Sequence, residues 1–310
     1  MGSDKNGARN LVVPKLPKEM PADADDLKIH DPGEIVETGP GWDDLEDDLQ
    51  GWTSNDAFEV YRCPYDWRYH PGSKVAQKYL RDKIDEAKQE TGYAKVDVVA
   101  HSMGGLLTRA YIQNKGFEES LDGYRDDIDR FVMVGTPNHG SANVYPIREG
   151  GEPLISDYLG GTKVNEEVRS LPNPNYFYTR TADKLYAVMK GENLAKSTQP
   201  GGEPKVIVER KTIRDFVEEY ISSTSSLMPA GGKFRLLQQD GSFTSYSNNS
   251  WLDDLNADLP NLNNKGIMIG LFGSNNEVHK TNCAIKVTED KSYYPSGQPD
   301  APYDGDDLDC

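Results

Sequence analysis

The clearest regularity along the chain is an apolar stripe at helical spacing. Val75, Ala76, Tyr79, Leu80, Ile84 and Ala87 fall on one side of a projected helix, with Lys, Arg, Asp and Glu on the other. Ser73 stands where an N-cap belongs, and Gly92 closes the pattern as a C-terminal breaker. A short apolar run, Val96-Asp97-Val98-Val99-Ala100, then predicts a strand. Met103 to Tyr111 returns to helical spacing, and Phe131-Val132-Met133-Val134 predicts another strand, closed by Gly135-Thr136-Pro137. Upstream, Phe58-Glu59-Val60-Tyr61 alternates as a short strand would. Helices placed between short apolar strands predict an α/β fold, with a mainly parallel sheet covered by helices on both faces and right-handed crossovers.

This rhythm does not run through the whole chain. Residues 1–57 are rich in Asp, Pro and Gly and read as loop, with one short helix near Trp42–Leu49. The segment after Tyr145 holds polar loops, a helix-like piece at Thr212–Ser222 and turns such as Pro172-Asn173-Pro174. Strand character resumes at Gly266–Gly273, and a pair of short strands is expected near Ala284–Thr288. The expected organisation is core (residues 1–144), inserted cap (145–260) and the C-terminal part of the core (261–310). No internal repeat is visible.

Between the second predicted strand and its helix lies Ala100-His101-Ser102-Met103-Gly104, a small-x-Ser-x-Gly pentapeptide. Such a pentapeptide also arises by chance, so its weight comes from its place. A strand runs directly into it, and a helix beginning Gly104-Gly105-Leu106-Leu107 runs directly out. That is the setting of a nucleophile elbow, in which a serine sits on a strained turn with its hydroxyl above the sheet. Small residues at Ala100 and Gly104 suit the close approach of backbone at such a turn. The same turn would aim the Met103 N–H at a developing oxyanion, beside the positive end of the helix. The bland alternative is an ordinary strand-to-helix turn with a capping serine.

Composition narrows the partners. The 310 residues carry 34 basic and 51 acidic side chains, a formal charge of −17. That balance argues against a nucleic-acid surface, which needs clustered Lys and Arg. No apolar run approaches the ~18 residues of a membrane-spanning helix. Asp4, Lys5 and Asn6 stand where a signal peptide would be apolar. Cys63, Cys283 and Cys310 are too few for a disulfide framework and lack metal-ligand spacing, leaving a Cys63–Cys283 bridge as the alternative to three thiols. The acidic runs at Asp43–Asp48 and Asp304–Asp309 read as solvated loops rather than calcium sites.

With these motifs in view, the chain resembles the lecithin:cholesterol acyltransferase-like lipases of the α/β-hydrolase superfamily. The resemblance rests on Pro64-Tyr65-Asp66-Trp67-Arg68 before the first helix, and on the serine turn. It continues in Gly135-Thr136-Pro137-Asn138-His139-Gly140-Ser141 after the next strand, and in Leu227-Met228-Pro229 with Asn249-Ser250-Trp251-Leu252 further on. It is close over residues 41–141, moderate over 205–290, and hard to trace over 145–200. It implies a serine esterase or acyltransferase acting on lipid esters, with no metal and no cofactor. Ser102 would be the nucleophile and Met103 an oxyanion donor. The Tyr65–Arg68 segment is expected to be an aromatic, ion-paired brace, and His139 to stabilise its loop. The His101 side chain is expected to point away from Ser102.

The same resemblance implies an acid near the end of the chain. The best match is Gly305-Asp306-Asp307-Leu308, giving Asp306 as the triad acid and Asp304 as its alternative. The triad histidine follows the acid in this fold, yet none of His30, His70, His101, His139 and His279 follows Asp306. His279 could serve only with an upstream acid such as Asp253 or Asp254. Met1-Gly2-Ser3 looks like the end of the family's Pro-Gly-Ile-Met-Gly-Ser oxyanion loop. The expectation is therefore a chain truncated at both ends and nearly inert. One lost oxyanion donor costs roughly 10²–10³ in rate, and a lost base costs on the order of 10⁶ in subtilisin. Two other readings stay open: a non-catalytic α/β-hydrolase module that binds lipid or protein, and a serine hydrolase of another specificity, such as a carboxylesterase or depolymerase.

Overall fold

The structure is a computed structural model. It describes residues 51, 59–117, 120–142, 144–150, 214, 218, 221–232, 234–273, 284–289, 295–297 and 299. In chain order the elements are α1 (Lys74–Thr91), β1 (Val96–His101), α2 (Met103–Gln113), β2 (Ile128–Val134), α3 (Val144–Gly150) and α4 (Ser223–Leu227). They continue with β3 (Arg235–Leu237), β4 (Phe243–Ser245), α5 (Ser250–Ala257), α6 (Leu259–Asn263), β5 (Met268–Phe272) and β6 (Ala284–Lys286). The fold is α/β, as the alternation of strands and helices implies. The described residues fall into two compact units.

One unit holds the described residues between Ile35 and Gly140 and between Ser250 and Asn276. Its sheet is parallel, in the order β1-β2-β5, with Val98 opposite Phe131 and Phe131 opposite Ile269. Both ends of α1 form as its sequence dictates. The Ser73 hydroxyl accepts the Ala76 N–H at 3.2 Å. Gly92 turns left-handed at φ 75° and donates its N–H to the Lys88 carbonyl at 3.0 Å. The buried face departs from the apolar stripe in one respect. Val75 is exposed, and Gln77 is buried instead, donating to the carbonyls of Pro71 (2.6 Å) and Leu107 (2.9 Å). Those two carbonyls take up the amide N–H groups of a side chain that spacing alone would leave in solvent, while its Oε1 has no partner among the described residues.

Every residue of α2 except Gly104 is buried, so this helix forms the interior of the unit. Its side chains join Ala76, Leu80 and Ile84 of α1, Ala100, Phe131 and Met133 of the sheet, and Leu262 of α6 in one core. This core lies on the sheet face carrying Ala100, Phe131 and Met133. Val99, Met268 and Phe272, on the opposite pleat, are exposed.

Two predicted strands need correction. Residues 59–61 are not in a strand; the Tyr61 hydroxyl donates to Glu59 (2.7 Å) and Glu90 (2.9 Å). Among the described residues near 284–288 there is one strand, β6, with an antiparallel bridge between Val287 and Pro299, rather than a pair of strands. The expected helix at Trp42–Leu49 lies outside the described residues; of the one expected at Thr212–Ser222 only Arg214, Glu218, Ile221 and Ser222 are described, the first two helical and the last two not.

The other unit contains α3, α4 and a small sheet in the order β4-β3-β6, with β3 and β6 parallel. Its core gathers Ala142, Val144, Tyr145, Met228, Phe234, Leu236, Ile285 and Val287. Buried Glu149 accepts from the Tyr246 hydroxyl, from the Ser296 N–H at 3.0 Å, and pairs with Arg214 at 3.3 Å.

Candidate active site

The site is built at the C-terminal end of β1. Ser102 N–H donates to the Val134 carbonyl at 2.9 Å, extending the β1–β2 ladder by one rung. The Ser102 carbonyl then accepts the Gly105 N–H at 3.0 Å, the first bond of α2. Passing from ladder to helix at a single residue forces Ser102 to φ 51°, ψ −127°, a conformation that costs a non-glycine residue about 1–3 kcal/mol. The half-buried Ser102 side chain makes no capping hydrogen bond to its own helix. Ser102 is therefore not a capping serine in this structure. Met103 follows as the first residue of α2, its side chain buried and its N–H at the positive helix end.

The steric demand of the turn falls on Gly105 rather than Gly104. A Cβ at Gly104 would sit 3.7 Å from the Ala100 Cβ, an ordinary contact. A Cβ at Gly105 would sit 1.9 Å from Thr136 Oγ1 and 2.7 Å from its Cγ2. Thr136 belongs to the loop after β2. That loop opens with Gly135 at φ 58°, whose N–H donates to the Phe272 carbonyl at 2.8 Å. The exposed His101 ring lies beside Gly135, its Nε2 3.9 Å from where a Gly135 Cβ would be. His139 in the same loop is exposed.

Below the turn, a charged side chain is enclosed. Arg109 of α2 is 1% exposed and donates to Gln113 Oε1 (3.1 Å), Asn138 Oδ1 (2.6 Å), Asn256 Oδ1 (3.0 Å) and the Leu255 carbonyl (2.9 Å). Burial lowers its pKa to about 10, so it stays protonated at neutral pH. Asn256 Nδ2 also donates to the Asn138 carbonyl at 2.7 Å. Sequence reasoning missed Arg109. The available signal was a lone charged residue inside the apolar run Leu106–Ile112.

The brace expected at Tyr65–Arg68 is present as a buried ion pair. Arg68 Nε and Nη2 donate to the two Asp66 carboxylate oxygens at 3.1 and 3.2 Å. His70, two residues on, stacks on Phe117 with centroids 3.8 Å apart and meets the Trp251 edge at 4.4 Å. Its Nδ1 accepts the Gly72 N–H at 3.0 Å, which assigns the ring proton to Nε2. Burial holds the pKa of His70 down at about 3. Asp306, Asp304, His279, His30, Cys283 and Cys310 lie outside the described residues. Among the described residues no helix is long and apolar enough to cross a membrane.

Comparison with known proteins places these features in a family. The sequence model of the family described as "Lecithin:cholesterol acyltransferase" matches residues 40–286. The human protein named "Lysosomal phospholipase A and acyltransferase" is 30% identical over 147 residues, 46% of this chain and 34% of its own length. The mouse protein of the same name is 29% identical over 147 residues, with the same coverage. The chain thus spans about a third of the length of these curated relatives. A solved structure, "The crystal structure of Tle4-Tli4 complex", aligns with 83% of this chain and 57% of its own at a TM-score of 0.35 and 15% identity. With the family match running from residue 40 to residue 286, across the strand, strained serine turn and helix described above, the chain belongs to the lecithin:cholesterol acyltransferase family.

Proposed function

We propose that this protein is a serine hydrolase or acyltransferase that acts on lipid carboxyl esters through an acyl-Ser102 intermediate. The observation that carries the reading is the backbone of Ser102. It is held at φ 51° between a parallel strand and a buried helix, with a hydroxyl that does not cap that helix. Family membership and the names of the curated relatives support a lipid ester as substrate.

In this reading Ser102 Oγ attacks the ester carbonyl carbon while a general base accepts the hydroxyl proton. The carbonyl oxygen becomes an oxyanion, and the Met103 N–H donates to it. Collapse breaks the bond to the alcohol oxygen, the proton passes to the leaving alcohol, and the acyl group stays on Ser102. Water then completes hydrolysis, or a lipid alcohol completes transfer. Both half-reactions balance with the ester, Ser102, a base and an acceptor. Asp306 is the acid in this reading, orienting a histidine that none of the described residues supplies.

The test is covalent labelling of the natural protein with a fluorophosphonate probe. Labelling at Ser102, lost in Ser102→Ala, is expected, together with faster turnover of long-chain than short-chain p-nitrophenyl esters. Absence of labelling at Ser102 overturns the assignment.

A further inference from the structure

Arg109 has no need of a positive charge for packing alone, because a buried guanidinium is costly unless its donors are used. Here they are used on neutral oxygens from three places. Gln113 is on its own helix, Asn138 is in the loop after β2, and Leu255 and Asn256 are in α5. Among the described residues no carboxylate pairs with it. The loop and α5 are the segments through which the chain leaves the Ser102 unit after Gly140 and re-enters it at Ser250. Asn138 is bound twice over: its Oδ1 accepts from Arg109, and its carbonyl accepts from Asn256.

This loop also presses on the nucleophile turn. Two residues before Asn138, Thr136 fills the space beside Gly105, in the first turn of α2. Arg109 lies seven residues beyond Ser102, about 10 Å along the helix axis at 1.5 Å per residue. We infer that Arg109 is a positioning residue for acyl transfer: by fixing Asn138 it holds the loop Gly135–Gly140, and through Thr136 the turn bearing Ser102 and the Met103 N–H, in reacting geometry. The inference rests on the proposed role of Ser102. The fork of Arg is required, since a lysine ammonium is a single point that cannot span Gln113, Asn138 and α5 together.

The experiment compares second-order rates of fluorophosphonate labelling of Ser102 in the natural protein, well below each variant's melting temperature. Arg109→Met is expected to slow labelling about 10- to 100-fold, the scale of a sub-ångström to 1 Å misplacement. Arg109→Lys should not restore it. Asn138→Leu should reproduce the loss, while Asn138→Asp, which keeps the acceptor oxygens, should stay within about threefold of the parent. The double variant Arg109→Met/Asn138→Leu should be no slower than the slower single variant, because both break one path. A residue important only for folding would lower the melting temperature and leave the labelling rate of folded protein unchanged. That result in Arg109→Met and Asn138→Leu overturns the inference, as do additive losses in the double variant. If Arg109→Met does not fold, the Asn138 pair decides alone. Failure of the parent itself to label at Ser102 sinks the functional reading instead.

Discussion

Thr136 occupies the volume that a methyl group on Gly105 would need, with Oγ1 only 1.9 Å from that Cβ position. Both are small parts of the chain, one in the loop after β2 and one in the first turn of α2. Their contact lets the helix that begins at the serine lie directly against the neighbouring strand's exit. The Thr136 hydroxyl is buried there without a hydrogen-bond partner among the described residues.

Gly105→Ala should therefore destabilise the protein by about 1–3 kcal/mol, the usual cost of overpacking, and displace the serine turn. The clash involves Thr136 Oγ1, Cγ2 and Cβ, so trimming that side chain completely is the informative partner change. Urea midpoints of Gly105→Ala, Thr136→Gly and the double variant check this. The double variant should recover part of the loss. Gly104→Ala, where a Cβ meets only Ala100 at 3.7 Å, should be nearly neutral.

Ser102→Gly and Ser102→Ala should differ in stability, although both remove the hydroxyl. The strain at φ 51° falls on any residue with a Cβ, so alanine keeps it and glycine relieves it. Against the relief of about 1–3 kcal/mol stands the extra freedom of glycine in the unfolded chain, about 0.4–1 kcal/mol. The glycine variant should come out about 1 kcal/mol more stable than the alanine variant by chemical denaturation. Equal stabilities would mean that the turn is unstrained and would weaken its reading as a nucleophile elbow.

What the sequence revealed and concealed follows from the range of each interaction. The ends of α1 were legible because Ser73 and Gly92 act within four residues of themselves. The serine turn was legible because strand, turn and helix are contiguous. Gln77 and Arg109 were not, because most of their partners lie between 29 and 147 residues away, and periodicity assigns a polar side chain to solvent unless such partners are known. Strands β3 and β4, with three residues each, are shorter than any alternation that could announce them. The residues 59–61 alternate as a strand does, yet Tyr61 binds Glu59 and Glu90 rather than joining the sheet. Asp306, proposed as the triad acid, lies outside the described residues, and that role rests on motif resemblance.

His70 makes the remaining prediction, and its sign is fixed by its surroundings. The ring is closed in between Phe117 and Trp251, and Nδ1 is occupied by the Gly72 N–H, so a second ring proton has nowhere to go without displacing that bond. Its folded pKa of about 3 lies below the unfolded value of 6.5, so at acid pH the unfolded chain binds the proton and the folded one does not. Its share of stability is full above 6.5 and is lost progressively as pH falls from 6.5 towards 3. Between pH 7 and pH 5 the loss should be about 2 kcal/mol. Urea midpoints at the two pH values should therefore differ more in the parent than in His70→Asn, whose amide oxygen can still accept from Gly72 but does not titrate. A parent and a variant with the same pH slope would show that His70 protonates in the folded state. The same enclosure argues that His70 is not the base that activates Ser102: a base must exchange a proton with its substrate at neutral pH, and a ring held neutral down to about pH 3, with one nitrogen engaged, Phe117 stacked on it and Trp251 against it edge-on, braces the loop before α1 instead.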